Sequence, residues 1–325
     1  MNWSKKRVKF WGLACVTSLF FFVAGCSSDS SDSSPTDPGT TPAPESSGST
    51  PDVGSSATGT DPTIPSANSS LYTFETTPGA LAVAPDVDGF YDMGDVYKAV
   101  PKTSKIAFVI RHSKRGKSSK SESQLTPIGI QMAQTLGAKL VGDEAFYYAS
   151  TDFVRTRETC NNIAIGRGET DVKVVTWDAI NGGYFLKVPS STLDSLVSKA
   201  GGNPRYISQY AFGDPFTNFA DVLPSYFYDL YERGNQFVNE VVVANMPNWN
   251  RVSVLVTHDM LIEPLVVFVS NRTIDLRVYK DNFRWINYLS GVAVIVDEAN
   301  KVTVLPVRGD EVGWMTFRDE VDEGV

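Results

Sequence analysis

The chain contains two histidines, His112 and His258, and each directly follows a run of apolar, β-prone residues. Residues 106–110 (IAFVI) lead into Arg111-His112, and residues 252–257 (VSVLVT) lead into His258-Asp259. Such runs read as buried parallel strands that deliver polar side chains at their C-terminal ends. That is the edge at which open α/β sheets bind ligands. A neutral imidazole is a competent nucleophile, and a neighbouring arginine helps it twice, because its planar fork binds phosphoryl oxygens and its charge disfavours the imidazolium form. Hydrolysis of a phosphomonoester needs an aligned nucleophile, positive charge on the equatorial oxygens and a proton for the departing alkoxide. Transfer to an imidazole followed by hydrolysis of the phosphoimidazole divides this into two easier steps.

The ordered set Arg111-His112, then Arg155 within residues 150–159 (STDFVRTRET), then His258 within residues 254–261 (VLVTHDML), resembles the histidine phosphatase superfamily. Phosphoglycerate mutases and histidine acid phosphatases share that fold, and the resemblance runs roughly from residue 104 to residue 307. It implies that His112 accepts the phosphoryl group, that Arg111, Arg155 and His258 complete a phosphate pocket, and that Arg115 joins them as the second arginine of an Arg-His-Gly-x-Arg motif. Two positions depart from the pattern. Ser113 replaces the glycine, where it either donates a hydrogen bond to phosphate or narrows the site, and Lys114 stands where the mutase-like form has an acidic residue.

The resemblance offers two proton donors. In the mutase-like branch an acid follows the strand after the second arginine's helix, and Asp178, 23 residues beyond Arg155 in TWDAINGGYF, occupies that place. In the acid-phosphatase branch the donor directly follows the second histidine, which is Asp259; its other reading is a helix N-cap. Spacing and the following Gly-Gly-aromatic favour Asp178, with Asp259 its close rival. A metal held by His112, His258 and one aspartate has enough ligands, but the flanking arginines would repel a divalent cation. No metal and no cofactor is expected. The competing class is a binding protein of the same fold that holds a phosphorylated ligand without turning it over. Mutase activity is a third reading, set against by the outward-pointing signal described below.

The elements that must position these residues read as an α/β domain over residues 71–325: a three-layer α/β/α sandwich with a mostly parallel, phosphoglycerate mutase-like sheet. Thr126-Pro127 offers an N-cap and a first-position proline, and Met132, Leu136 and Leu140 recur at helical spacing. A short strand at 146–149, a helix carrying Arg155 in its first turn, and a strand at 172–176 follow. Residues 181–218 look irregular, rich in Gly, Pro and aromatics, and are expected to form a cap insertion over the sheet's C-terminal edge. A helix is expected at about 219–245 and another at 261–269. Strands GVAVIVD and KVTVLPV form a hairpin across residues 298–300. Residues 71–100 look irregular and should pack over the sheet's edge.

The front of the chain does not belong to that domain. Residues 1–26 combine four basic residues, an apolar stretch at 10–23 and VAGC ending at Cys26. This reads as an export signal, too short in its apolar part to span a bilayer comfortably. VAGC followed by Ser27 resembles the lipobox of bacterial lipoproteins, which implies lipidation of Cys26; an ordinary cleaved signal peptide is the plainer reading. Residues 27–70 are Ser, Thr, Pro, Gly, Asp and Ala with almost no large apolar side chain, a composition that cannot repay its ordering entropy. They read as a disordered tether, placing the domain in the cell envelope outside the cytoplasmic membrane with a lipid bilayer as one partner. Only Cys160 of the three cysteines then remains in the domain, which excludes an internal disulfide and suits a small buried residue. A net charge of −8 and a pI near 4.9 argue against nucleic acid. The expected substrate is a phosphorylated small molecule or phosphoprotein.

Overall fold

A computed structural model describes residues 72–213, 223–281, 283–309 and 312–316. The signal segment 1–26, Cys26, the tether 27–70 and residues 214–218 of the expected cap lie outside the described residues. In chain order the strands are β1 (Tyr91–Asp92), β2 (Lys105–Arg111), β3 (Tyr147–Ser150), β4 (Val174–Thr176), β5 (Val252–Thr257), β6 (Arg284–Trp285), β7 (Ser290–Val296), β8 (Val302–Arg308) and β9 (Met315–Thr316). Seven of them form one sheet in the order β1-β8-β7-β2-β5-β3-β4, and β6 pairs with β9 separately. Strands β2, β5, β3 and β4 run parallel, as do β1 and β8, while β7 is antiparallel to both β2 and β8. The expected hairpin is therefore present, and it lies between β1 and β2 in a mostly parallel sheet.

Why β2 and β5 read as unbroken apolar runs follows from the layers. Ile106, Phe108 and Ile110 enter one core with Met132, Leu136 and Ile163, while Ala107 and Val109 enter the other with Leu261, Leu265 and Phe268. Both faces of the sheet are covered, so neither parity of position is left for polar residues. Helices α1 (Met93–Ala99), α2 (Pro127–Lys139) and α3 (Val154–Arg167) supply the first layer. Helices α4 (Asp194–Ala200), α5 (Asn203–Phe212), α6 (Leu223–Tyr226), α7 (Leu230–Gln236) and α8 (Asp259–Val269) lie on the other side. The N-cap of α2 forms as its residues suggest: Thr126 Oγ1 accepts from Gly129 N at 3.0 Å, with Pro127 opening the helix. Cys160 is buried in α3 and its thiol is pushed up by burial.

Three stretches differ from expectation. Residues 71–100 do meet the sheet's edge, with Glu75 bridging Thr303 and β1 on β8, but they also hold α1, whose cap Asp92 accepts from Asp95 N at 3.1 Å. The cap segment holds two helices, α4 and α5. Each is too short for periodicity to stand out among its Gly and Pro neighbours, although α5 buries Tyr206, Ile207, Tyr210 and Ala211 on one side. The single helix expected at 219–245 is instead broken into α6, α7 and a π-helical turn at Phe237–Val243. Within α7, a Cβ at Gly234 would come within 2.5 Å of the Phe268 ring, so this helix lies close against α8; residues 219–222 of the expected helix lie outside the described residues.

Candidate active site

Strands β2, β5 and β3 are neighbours in register, with Arg111 opposite Thr257 and Ser150 opposite Val256. Their C-terminal ends therefore bring together side chains more than a hundred residues apart. β2 delivers Arg111 and His112, β5 delivers His258 and Asp259, the turn after β3 delivers Thr151 and Phe153, and the first turn of α3 delivers Arg155. The His112 amide continues the ladder by donating to Thr257 O at 2.9 Å, which sets the imidazole beside the next strand end.

His112 is 2% exposed. Its Nδ1 lies 2.8 Å from Ser113 O, and Arg155 Nε donates to its Nε2 at 3.1 Å. A carbonyl only accepts and a guanidinium only donates, so this network assigns the proton to Nδ1 and a lone pair to Nε2. Burial, then Arg111, His258 and Arg155, hold the imidazole well below its ordinary 6.5, against a smaller opposing effect of Ser113 O. His258 is assigned the opposite tautomer. Arg155 Nη2 approaches its Nδ1 at 3.4 Å, and its Nε2 is left to donate to Thr151 Oγ1 at 3.0 Å. That hydroxyl passes to Thr156 Oγ1 at 2.9 Å, which donates to Phe153 O at 2.8 Å. Burial and then Arg155 lower His258 to about 4, with Asp259 pulling the other way. One guanidinium thus faces both lone pairs, and the rings stand 5.6 Å apart.

Arg155 is fastened by Lys120 O, to which Nη1 donates at 2.9 Å, and burial, followed by Arg115, pushes it down to about 10. Arg111 is more deeply held: Nη1 donates to Ile286 O at 2.6 Å, Nη2 pairs with Asp259 Oδ2 at 3.1 Å, and the guanidinium sits 4.2 Å from the Tyr288 ring centre. Arg115 lines the same cavity, its Nη1 donating to Gly116 O at 2.9 Å and Ser118 O at 3.1 Å.

Asp259 opens α8 directly after its N-cap His258 and keeps 23% of its side chain exposed. It accepts from Met260 N at 2.9 Å and from Trp285 Nε1 at 3.3 Å. Burial alone would raise its pKa; the Arg111 guanidinium, with His258, Trp285 and Arg115, outweighs that and holds the carboxyl below its usual range. Asp178 is placed differently. It begins a 3₁₀ turn, Asp178–Ile180, is exposed, and does not line the cavity, although Asn181 and Gly182 just after it do. A Cβ at Gly182 would stand 3.3 Å from Met260 Cβ and 3.7 Å from His258 Cβ, so that loop runs close over the second histidine.

Ser113 neither reaches the cavity nor narrows it. Its side chain is buried and donates to Gly129 O at 2.7 Å, while its amide donates to Thr159 Oγ1 at 3.0 Å. The loop behind His112 is pinned to the start of α2, where Thr126 N donates to Lys114 O at 3.0 Å and a Cβ on Gly129 would fall 2.0 Å from that oxygen. The extra side chain is thus accommodated on the helix side. Sequence reasoning missed Thr151, Thr156, Trp285, Ile286, Tyr288 and Met315, the last donating no charge but touching Arg111 Nη1 through Sδ at 3.4 Å. Thr151 and Thr156 flank Arg155 closely enough to have been suspected; the others come from the two-residue strands β6 and β9 and from the connection between β6 and β7, which are too short to give a local signal.

The cavity bounded by His112, Arg115, Arg155, His258 and Asp259 has a volume of about 770 Å³. It joins the neutral, lone-pair-bearing His112 imidazole to the Arg115 and Arg155 guanidinium groups and the Asp259 carboxylate, while Arg111 stands behind Asp259 without lining the cavity, an arrangement suited to a phosphate dianion.

The family model described as "Histidine phosphatase superfamily (branch 1)" matches residues 108–277, more than half of the chain. No curated protein matches it. Among solved structures, a phosphoglycerate mutase from Bacillus anthracis is 17% identical, with 68% of this chain and 97% of that chain covered and a TM-score of 0.39. A mutant phosphoserine phosphatase from Entamoeba histolytica, in complex with phosphoserine, is 16% identical over 63% of this chain and 96% of that one, with a TM-score of 0.40. A putative alpha-ribazole-5'-P phosphatase from Escherichia coli is 13% identical over 65% of this chain and 99% of that one, with a TM-score of 0.36.

Proposed function

The chain belongs to the histidine phosphatase superfamily, and we propose that it is a phosphomonoesterase working through a phosphohistidine on His112. The observation that carries this reading is the pair of contacts at His112, Nδ1 to Ser113 O at 2.8 Å and Nε2 to Arg155 Nε at 3.1 Å. They support a buried neutral ring whose Nε2 electron pair accepts from Arg155 at the wall of the cavity, where a bound phosphoryl group would take over that guanidinium. In the first half-reaction Nε2 attacks phosphorus as the P–O bond to the leaving group breaks. Arg155, Arg111 and Arg115 stabilise the equatorial oxygens, and His258 donates or accepts beside them. Water then attacks phospho-His112, giving a proton to the carboxylate that had protonated the leaving group, as the P–N bond breaks, the electron pair returns to Nε2 and phosphate is released.

The departing alkoxide needs a proton, and Asp259 is our candidate for its source in preference to Asp178, because Asp259 borders the cavity. Its carboxyl is ionised while it faces Arg111, and a bound phosphate dianion would oppose that charge and raise its pKa. A binding protein without turnover would be favoured by a Ser113 that narrowed the site, whereas the Ser113 hydroxyl donates to Gly129 O away from the cavity. We further propose that the protein is exported and lipid-anchored through Cys26, with residues 27–70 as its tether.

The test is turnover of p-nitrophenyl phosphate by the full chain in detergent with excess chelator. Activity should persist with chelator and vanish in His112→Ala. Loss of activity on chelation, or retention in the variant, would contradict the mechanism.

A further inference from the structure

The rest of the cavity's lining is chemically distinct from the charged cluster. Phe153, Leu186, Val188, Pro204, Tyr206 and Met260 give it apolar surface, and Asn181, Ser190 and Asn203 add neutral hydrogen-bonding groups. Among the described residues, the cap segment puts no charged side chain into this cavity. Lys187 Nζ donates to Pro224 O at 2.8 Å and sits 5.5 Å from the Tyr228 ring, the Arg205 guanidinium lies 5.8 Å from the Phe283 ring, and Lys199 is exposed and does not line the cavity. The sequence of residues 214–222 contains neither lysine nor arginine.

We propose that this site selects phosphomonoesters whose leaving group is uncharged and largely apolar, carrying at most neutral hydrogen-bonding groups, and discriminates against leaving groups with a second anionic group. The proposal rests on the phosphatase reading above. A carboxylate or second phosphate in the leaving group would be withdrawn from water without a cation of its own, because Arg115 and Arg155, the two guanidinium groups that line the cavity, serve the transferring phosphoryl group. Asp259 would add repulsion. An apolar body gains instead, by about fourfold in binding per buried methylene. The cavity has room for a body of this kind, since sites that enclose whole small molecules span roughly 300–1,000 Å³. Val188 and Leu186 are the specificity-determining positions on the cap side.

The experiment measures kcat/KM of the full chain in detergent for four primary alkyl esters of similar leaving-group basicity: 3-phenylpropyl phosphate, 3-hydroxypropyl phosphate, 4-phosphonooxybutanoate and propane-1,3-diyl bisphosphate. p-Nitrophenyl phosphate serves as control. The phenylpropyl ester should exceed both anionic esters by at least tenfold. Val188→Arg should narrow that gap about tenfold under the same detergent conditions, which separates pocket selectivity from partitioning into micelles. If p-nitrophenyl phosphate turns over but the anionic esters match or exceed the phenylpropyl ester, or no alkyl ester reacts, or Val188→Arg leaves the ratio unchanged, the selectivity inference fails and the phosphatase reading stands. If no ester including the control is hydrolysed, the phosphatase reading fails and takes the inference with it.

Discussion

Arg155 is the residue through which the site's electrostatics run, since it reaches both imidazoles and is itself partly desolvated. Its two contacts require opposite tautomers, Nδ1–H on His112 and Nε2–H on His258. With only two histidines in the chain, ¹⁵N-detected imidazole NMR can read each directly. The spectra should show two neutral rings of opposite tautomer that do not titrate between pH 8 and pH 5, because both groups are held below 6.5, His258 at about 4. A ring titrating near 6.5 would contradict this electrostatic account. The two carboxylates separate by leaving-group dependence. General acid catalysis contributes about 10²–10⁴-fold and matters most for poor leaving groups. Asp259→Asn should therefore depress alkyl phosphate turnover by about that factor while largely sparing p-nitrophenyl phosphate, and Asp178→Asn should do neither. The reverse pattern would make Asp178 the donor. The Arg-His, Arg, His order was legible because strand ends are local features, two residues long, that follow an apolar run. What a linear reading did not resolve was which aspartate borders the cavity: Asp178 and Asp259 both follow strands, and only the packing of residues 181–183 over His258 distinguishes them.

The strands and helices show why some of the fold was readable and some was not. β2, β5, β7 and β8 stood out because burial on both faces leaves unbroken apolar runs, and α2 because Thr126-Pro127 punctuates its start. α1, α4 and α5 are each ten residues or fewer, so periodicity had too few turns to show, and tertiary contact rather than propensity decides them. α8 carries a further consequence. Glu263, one turn after Asp259, is fully buried against α5, and its carboxyl lies well above its ordinary 4.5 because of burial, opposed by Ser208 and reinforced by Asp259. A carboxyl raised in the folded state gives its full stability below about pH 4.5, and loses it as pH climbs because the unfolded chain ionises first. The lost stability accrues at up to about 1.4 kcal/mol per pH unit. Glu263→Gln removes that linkage, so its Tm relative to the parent should rise steadily between pH 5 and pH 8 in scanning fluorimetry. A difference independent of pH would mean that Glu263 is ionised in the folded protein.

At the scale of the whole molecule, the proposed arrangement is a catalytic domain held on a long polar leash outside the cytoplasmic membrane. The leash is proposed on composition alone, since a stretch without large apolar side chains has nothing to bury, and residues 27–70 lie outside the described residues. In cells, Cys26→Ser should move the protein from the membrane fraction to the soluble one and abolish fatty-acid labelling, leaving turnover of p-nitrophenyl phosphate unchanged. Unaltered membrane association would refute the lipid anchor. Everything proposed for catalysis, however, turns on a covalent bond to one nitrogen. The most direct measurement is a rapid alkaline quench of the full chain during turnover of a ³²P-labelled ester, followed by peptide mapping of the protein-bound label. The account predicts an acid-labile, base-stable phosphoramidate on the peptide carrying His112, formed and discharged at rates compatible with turnover and absent in His112→Ala. Label on another residue, or turnover with no protein-bound phosphorus at any time, would contradict it.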